Sequence, residues 1–269
     1  MNGERKARIG IVGVGRMGLA MLKHLVKHGY QVTACDIDEK QLAKARDAGA
    51  ATAKTPAEVA RTADFVIVAV GYDDEVNQVV LGTDGLLAHL APGSIIAVSS
   101  TAKPDTVKAL DARARPASVA ILDAPICRGR FAADKGTLLA LVGGKADVVE
   151  RAREVYRCFC SDYAHLGEVG HGQVGKTMNN LLLWINAVGL IEAGRLAETT
   201  GIDLVKLRAA LLTSSGASDA LKDMQIVADL TDKAGLSLPI TGAIKELVKD
   251  ARRLKAAGGA PKWTGSRDQ

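Results

Sequence analysis

The sequence predicts an α/β protein: a doubly wound parallel sheet in the first part of the chain, then a smaller all-α domain joined to it by a long interdomain helix. Three observations carry this expectation. Short apolar runs of strand character alternate with polar, helix-like stretches through most of the first half. The first of these runs leads straight into a glycine-rich turn. After "YAHLG" the strand signal stops, and the remainder reads as helices broken by "TTGID", "TSSGAS" and "AGLSLP".

The elements follow in order. "RIGIVGVG", "QVTACDID", "DFVIVAV", "SIIAVSS", "SVAILDAP" and "LLALVGG" are nearly continuous apolar runs, the mark of strands covered on both faces. Between them, "TPAEVARTA" carries a capping box, with Thr55 as the cap, Pro56 in the first turn and Glu58 reaching back. "GHGQVGKTMNNLLLWIN" is glycine punctuation followed by a mostly apolar helix. Positions three and four apart share a helical face, so Lys176, Asn179 and Asn180 point roughly together. A sheet domain over residues 1–168 and a helical domain over residues 169–269 are expected, with a ligand cleft between them.

Composition narrows the function classes. The chain has 269 residues, of which 48% are apolar, enough for a sizeable core. No apolar run reaches the ~20 residues that cross a bilayer, and "MNGERKARIGIVGVG" has no signal-peptide pattern, so no membrane partner and a cytoplasmic location are expected. Cys35, Cys127, Cys158 and Cys160 lack metal-site or disulfide-scaffold spacing and read as free thiols, and no metal is expected. The +5 charge is spread along the chain and aromatic residues are only 3%, which speaks against nucleic acid as a partner.

In "IGIVGVGRMG" a strand runs into Gly13, Gly15 and Gly18, and "LAMLKHLVKHG" continues as a helix. This is GxGxxG in the context that gives it meaning: the glycines permit a tight turn and close backbone approach, and the helix start faces a pyrophosphate. Gly13, Val14, Gly15, Arg16, Met17 and Gly18 are therefore candidate cofactor-binding residues of a Rossmann domain. About 20 residues on, Asp36 ends the next strand, where its carboxylate accepts from the adenosine ribose hydroxyls. An acid there repels a 2′-phosphate, so NAD is favoured and NADP is the second candidate. Arg16 is open to two readings, a phosphate contact or a solvated charge.

With the glycine loop, "SSTAKP", "DAPICRGRFAADKGTL" and "GEVGHGQVGKTMNN" in order, the chain resembles the β-hydroxyacid dehydrogenase family, which includes 3-hydroxyisobutyrate dehydrogenase and tartronate semialdehyde reductase. The resemblance implies hydride transfer between NAD(P) and the hydroxyl or carbonyl carbon of a small β-hydroxy acid or its semialdehyde. It implies that Lys176 is the catalytic lysine and Asn180 its companion, with Asn179 structural. Ser100 and Thr101 resemble substrate and cofactor contacts, Val70 a further cofactor contact, and Lys222 a cofactor-side lysine. In the family a serine and two glycines form the turn that holds the substrate carboxylate through backbone N–H groups; here Cys127, Arg128 and Gly129 stand instead. Two readings of Arg128 stand: a guanidinium paired with an anionic extension of the substrate, or a side chain turned to solvent. Its bulk is expected to sit poorly in a left-handed turn. Lys222 follows "TSSGASDA" sooner than in relatives, which implies a shortened helical domain. A small hydroxy acid is the expected substrate partner and a homodimer or homotetramer the expected assembly. A non-catalytic NAD-binding protein and an imine reductase-like enzyme are the alternatives, the latter disfavoured by Lys176.

Overall fold

The structure is a computed structural model that describes residues 6–198 and 201–212. The expected helix breaks at "TSSGAS" and "AGLSLP", and Lys222, lie outside the described residues. The chain divides into two compact units, Met1–Lys176 and Thr177–Gln269.

The first unit is built on strands β1 (Ile9–Val12), β2 (Val32–Cys35), β3 (Ala51–Ala53), β4 (Phe65–Val68), β5 (Ile95–Val98), β6 (Ala120–Asp123), β7 (Ile126–Cys127), β8 (Leu138–Gly143) and β9 (Cys160–Gly167). They form one sheet in the order β3-β2-β1-β4-β5-β6-β8-β7, with β9 on β8. Helices α1 (Arg16–Lys27), α2 (Glu39–Asp47), α3 (Pro56–Ala60), α4 (Asp73–Leu81), α5 (Pro104–Ala114), α6 (Gly129–Lys135) and α7 (Ala146–Arg157) connect them. The chain moves outward from β1 through β2 to β3, then returns to β4 on the other side of β1. That reversal opens a crevice at the carboxyl ends of β1 and β4, where ligands of such sheets bind.

Residue alternation explains the two-sided core. Ile9 and Ile11 join Met21, Leu22 and Leu25 of α1 and Tyr156 of α7 on one face. Val12, Val66 and Val68 join Val76 and Val80 of α4 and Val107 and Leu110 of α5 on the other. Burying each such side chain contributes about 1.5–3 kcal/mol.

The sheet departs from the all-parallel expectation at one end, where β8 runs antiparallel to β6 and β7. Helix α6 leads from β7 into β8, which doubles back between β6 and β7, and β9 then pairs parallel to it.

Helix α8 (His171–Glu198) runs from the first unit into the second, which also contains α9 (Leu204–Leu212). Asp203 caps α9, accepting from the N–H groups of Val205 at 2.9 Å and Lys206 at 3.1 Å.

Candidate functional site

The glycine loop joins β1 to α1, and its glycines have different causes. Gly13 is left-handed, with φ +90°, and a side chain there would meet the Ala69 carbonyl at 2.5 Å. A side chain at Gly18 would strike the carbonyl of Gly13, so this glycine lets α1 lie close on the strand. Gly15 has φ −59°, which any residue adopts, and open space where its side chain would be. Nothing inside the protein calls for a glycine at that position. A ligand pressed against the backbone does, and α1 starts there without a side-chain cap or an acid in its first turn. The residues thus fit the pyrophosphate of a dinucleotide.

Asp36 ends β2 beside this loop. One carboxylate oxygen accepts the Val14 N–H at 2.7 Å and the other the Asp38 N–H at 2.9 Å. An ionised carboxylate has about four acceptor positions, so capacity for ribose hydroxyls remains while the backbone bonds fix its aim. Met17 is half-buried against the core. Arg16 is exposed and pairs with Asp134 of α6 at 3.1 Å.

The edges of β4 and β5 are tied together. The Ser100 hydroxyl is buried and accepts the Val70 N–H at 2.9 Å. This bond fixes the two strand ends, a structural use of a residue expected to touch substrate. Thr101 is half-buried beside it. Asp73 of α4 accepts from the Lys103 N–H at 2.9 Å and the Thr106 hydroxyl at 2.5 Å, which ties the start of α4 to the "SSTAKP" turn and the start of α5.

On the other side of that turn lies the start of α8. Lys176 is half-buried, and its Nζ donates to the Ile126 carbonyl at 2.8 Å. Ile126 opens the turn of Cys127, Arg128 and Gly129, so the lysine sits at the head of the candidate carboxylate turn. Asn180 is buried one helical turn further along, and its Oδ1 accepts from Asn179 Nδ2 at 3.0 Å. Asn179 thus orients Asn180.

Arg128 occupies the left-handed region, with φ +81°, followed by Gly129 at +66°. The turn therefore takes a glycine-like shape despite the arginine, contrary to the expectation from its bulk. The cost of such a conformation, about 1–2 kcal/mol, is offset by anchoring. Its Nη1 donates to Asp162 at 2.6 Å, to Ser161 Oγ at 2.8 Å and to the Thr137 carbonyl at 3.2 Å. The hydrogen bond from Arg128 holds the Asp162 carboxyl below its ordinary range. The Arg128 side chain is exposed and its guanidinium is anchored on Asp162 and Ser161 of β9.

All four cysteines are free and buried. Burial pushes the Cys35 thiol up to about 11 and the Cys160 thiol up to about 12, so neither supplies a thiolate. Asp123 and Gln173 were missed by the sequence reading. Asp123 reads as an ordinary strand end in "AILDAP", and only the glycines of "GHG" hint that a helix start packs against it.

Residues 8–182 match a family model described as the NAD binding domain of 6-phosphogluconate dehydrogenase. Mouse mitochondrial 3-hydroxyisobutyrate dehydrogenase is 36% identical over 211 residues, 78% of this chain and 63% of that protein. The NAD-dependent L-serine dehydrogenase of Pseudomonas aeruginosa is 35% identical over 215 residues, covering 80% of this chain and 72% of that one. This chain thus spans about two thirds of the length of these relatives. Among solved structures, 3-hydroxyisobutyrate dehydrogenase from Salmonella typhimurium superposes with a TM-score of 0.84 at 23% identity, covering 95% of this chain and 96% of that one. The Mycobacterium tuberculosis 3-hydroxyisobutyrate dehydrogenase described with L-serine gives 0.81 at 24% identity, with coverage of 95% and 96%. These two likenesses establish the fold. With 8–182 as its NAD-binding domain, the chain belongs to the β-hydroxyacid dehydrogenase family.

Proposed function

We propose that the protein oxidises a short β-hydroxy acid, or reduces the matching semialdehyde, with Lys176 as the group that moves the hydroxyl proton. The observation that carries this reading is the Lys176 amine, held at 2.8 Å on the Ile126 carbonyl at the head of the Cys127–Gly129 turn. When bound, NAD supplies the two-electron acceptor for the carbon being oxidised. With one N–H held on the Ile126 carbonyl, the Lys176 nitrogen takes the alcohol proton as hydride leaves for NAD, and in the reverse direction it returns that proton to the carbonyl oxygen. Asn180 hydrogen-bonds the reacting oxygen or the carboxylate. The backbone N–H groups of the turn hold the carboxylate, and Thr101 lines the edge shared with cofactor.

Gly13 to Gly18 bind the pyrophosphate and Asp36 the ribose, which favours NAD over NADP. Val70 and Lys222 complete the cofactor side in this reading. Residues 1–168 serve the cofactor, and residues 169–269 serve substrate and assembly as a homodimer or homotetramer. A cytoplasmic location is part of the same proposal.

The test is NADH formation by the wild-type protein across a panel of short hydroxy acids that includes L-serine and 3-hydroxyisobutyrate. Turnover with at least one member, with NAD preferred to NADP, is expected. NAD binding without turnover on any member would favour a binding protein instead.

A further inference from the structure

Two wholly buried polar side chains without a role so far meet at the start of α8. The Asp123 carboxylate accepts the Gly170 N–H at 2.8 Å on one oxygen and the Gln173 N–H at 2.8 Å on the other. Helix starts leave N–H groups without internal partners, and a carboxylate satisfies them with charge of the favourable sign. Gln173 faces the other way. Its amide oxygen accepts the Ala102 N–H at 3.0 Å, and its amide nitrogen donates to the Ser100 carbonyl at 2.9 Å.

The surroundings are built around this pair. A side chain at Gly172 would meet the carbonyls of Asp123 and Leu141, each at 2.6 Å, and one at Gly143 would strike the Asp123 carboxylate. Gly143 and Gly172 are thus explained by the close approach of α8 to β6 and β8. One turn after Gln173 comes Lys176, whose tip rests on Ile126, three residues beyond Asp123. The backbone of the first turn of α8 and the amine of Lys176 are therefore both referenced to the short segment between Asp123 and Ile126.

We propose that Asp123 and Gln173 are positioning residues: a buried clamp that fixes the first turn of α8 against the Ser100–Ala102 edge and so sets where the Lys176 nitrogen stands. The proposal rests on the reading of Lys176 as the proton-transfer group. Small displacements of such a group are costly in rate, because the reacting atoms must lie in near-contact geometry. In Asp123→Asn an amide N–H₂ replaces one acceptor and confronts a backbone donor, so one cap bond is lost. In Gln173→Met both bonds to the Ser100–Ala102 edge are lost at similar volume.

The test pairs hydrogen exchange with kinetics on the full chain. Backbone amides of residues 168–176 should exchange about tenfold faster in Asp123→Asn, with the rest of the sheet unchanged. On the best hydroxy acid, kcat should fall about 10- to 100-fold while the NAD dissociation constant stays within about twofold. A residue that merely supports the fold would lower Tm without this confined exchange and without a loss of kcat well below Tm. If Asp123→Asn does not fold, Gln173→Met carries the same two readouts. Wild-type exchange over 168–176 in folded variants would overturn the clamp, as would unchanged kcat. A wild type that turns over no hydroxy acid would overturn the reading of Lys176, and the exchange data would still decide the clamp.

Discussion

Burial pushes the Asp123 carboxyl up to about 6, while the N–H groups of Gly170 and Gln173 pull the other way. Desolvation outweighs these bonds because no solvent reaches the carboxylate. The groups around it are Tyr156 of α7, whose own hydroxyl burial keeps protonated and which bonds Ser99 at 2.7 Å, and Lys108 of α5, whose stem lies against Gly170. A carboxyl raised in the fold binds its proton more tightly there than in the unfolded chain. Its stabilising contribution is complete below about pH 4 and is lost as pH rises through about 6. Asp123→Asn has no such proton to lose. The stability advantage of wild type over this variant should therefore shrink by on the order of 2–3 kcal/mol between pH 4 and pH 7, as read by urea unfolding at each pH. An advantage that is constant or grows with pH would show that the carboxylate is not desolvated as described.

At the scale of elements, the glycine loop separates demands of the fold from demands of a ligand. Gly15→Ala should leave Tm within about 2 °C, since its backbone is ordinary and the space is open. The same change should weaken NAD binding about tenfold, because the new methyl stands where the pyrophosphate approaches. Gly18→Ala, which drives a methyl onto the Gly13 carbonyl, should lower stability by about 1–3 kcal/mol. Calorimetry for NAD and thermal melts distinguish the two; equal NAD affinity in Gly15→Ala and wild type would remove the argument for the cradle.

This loop was legible in the sequence because its function lies in local spacing. Strand β3, three residues long with only Ala53 buried, and β7, two residues long, were not legible, because neither has enough apolar pattern to register. The reversal of β8 was hidden because an apolar run such as "LLALVGG" carries no strand direction. Asp123 and Gln173 lay beyond reach because their partners are 50 and 73 residues away in sequence. The ion pair of Arg128 was not legible because its acid, Asp162, comes from a distant strand.

At the scale of the whole molecule, the sheet order, the switch between β1 and β4, and the match over 8–182 agree on an NAD-binding first unit in a member of the β-hydroxyacid dehydrogenase family. The chain spans 63% of its mouse relative and 72% of its Pseudomonas aeruginosa relative, so their whole-protein activities are a guide to substrates to try. The central claim concerns one nitrogen. Its most direct test is single-turnover NADH formation by wild type and Lys176→Ala on the best hydroxy acid, with the NAD dissociation constant measured in parallel. Loss of rate by about 10²–10⁴-fold with NAD affinity retained is the predicted result. A Lys176→Ala protein that forms NADH at the wild-type rate would contradict it, and the proton would then have to leave by another group.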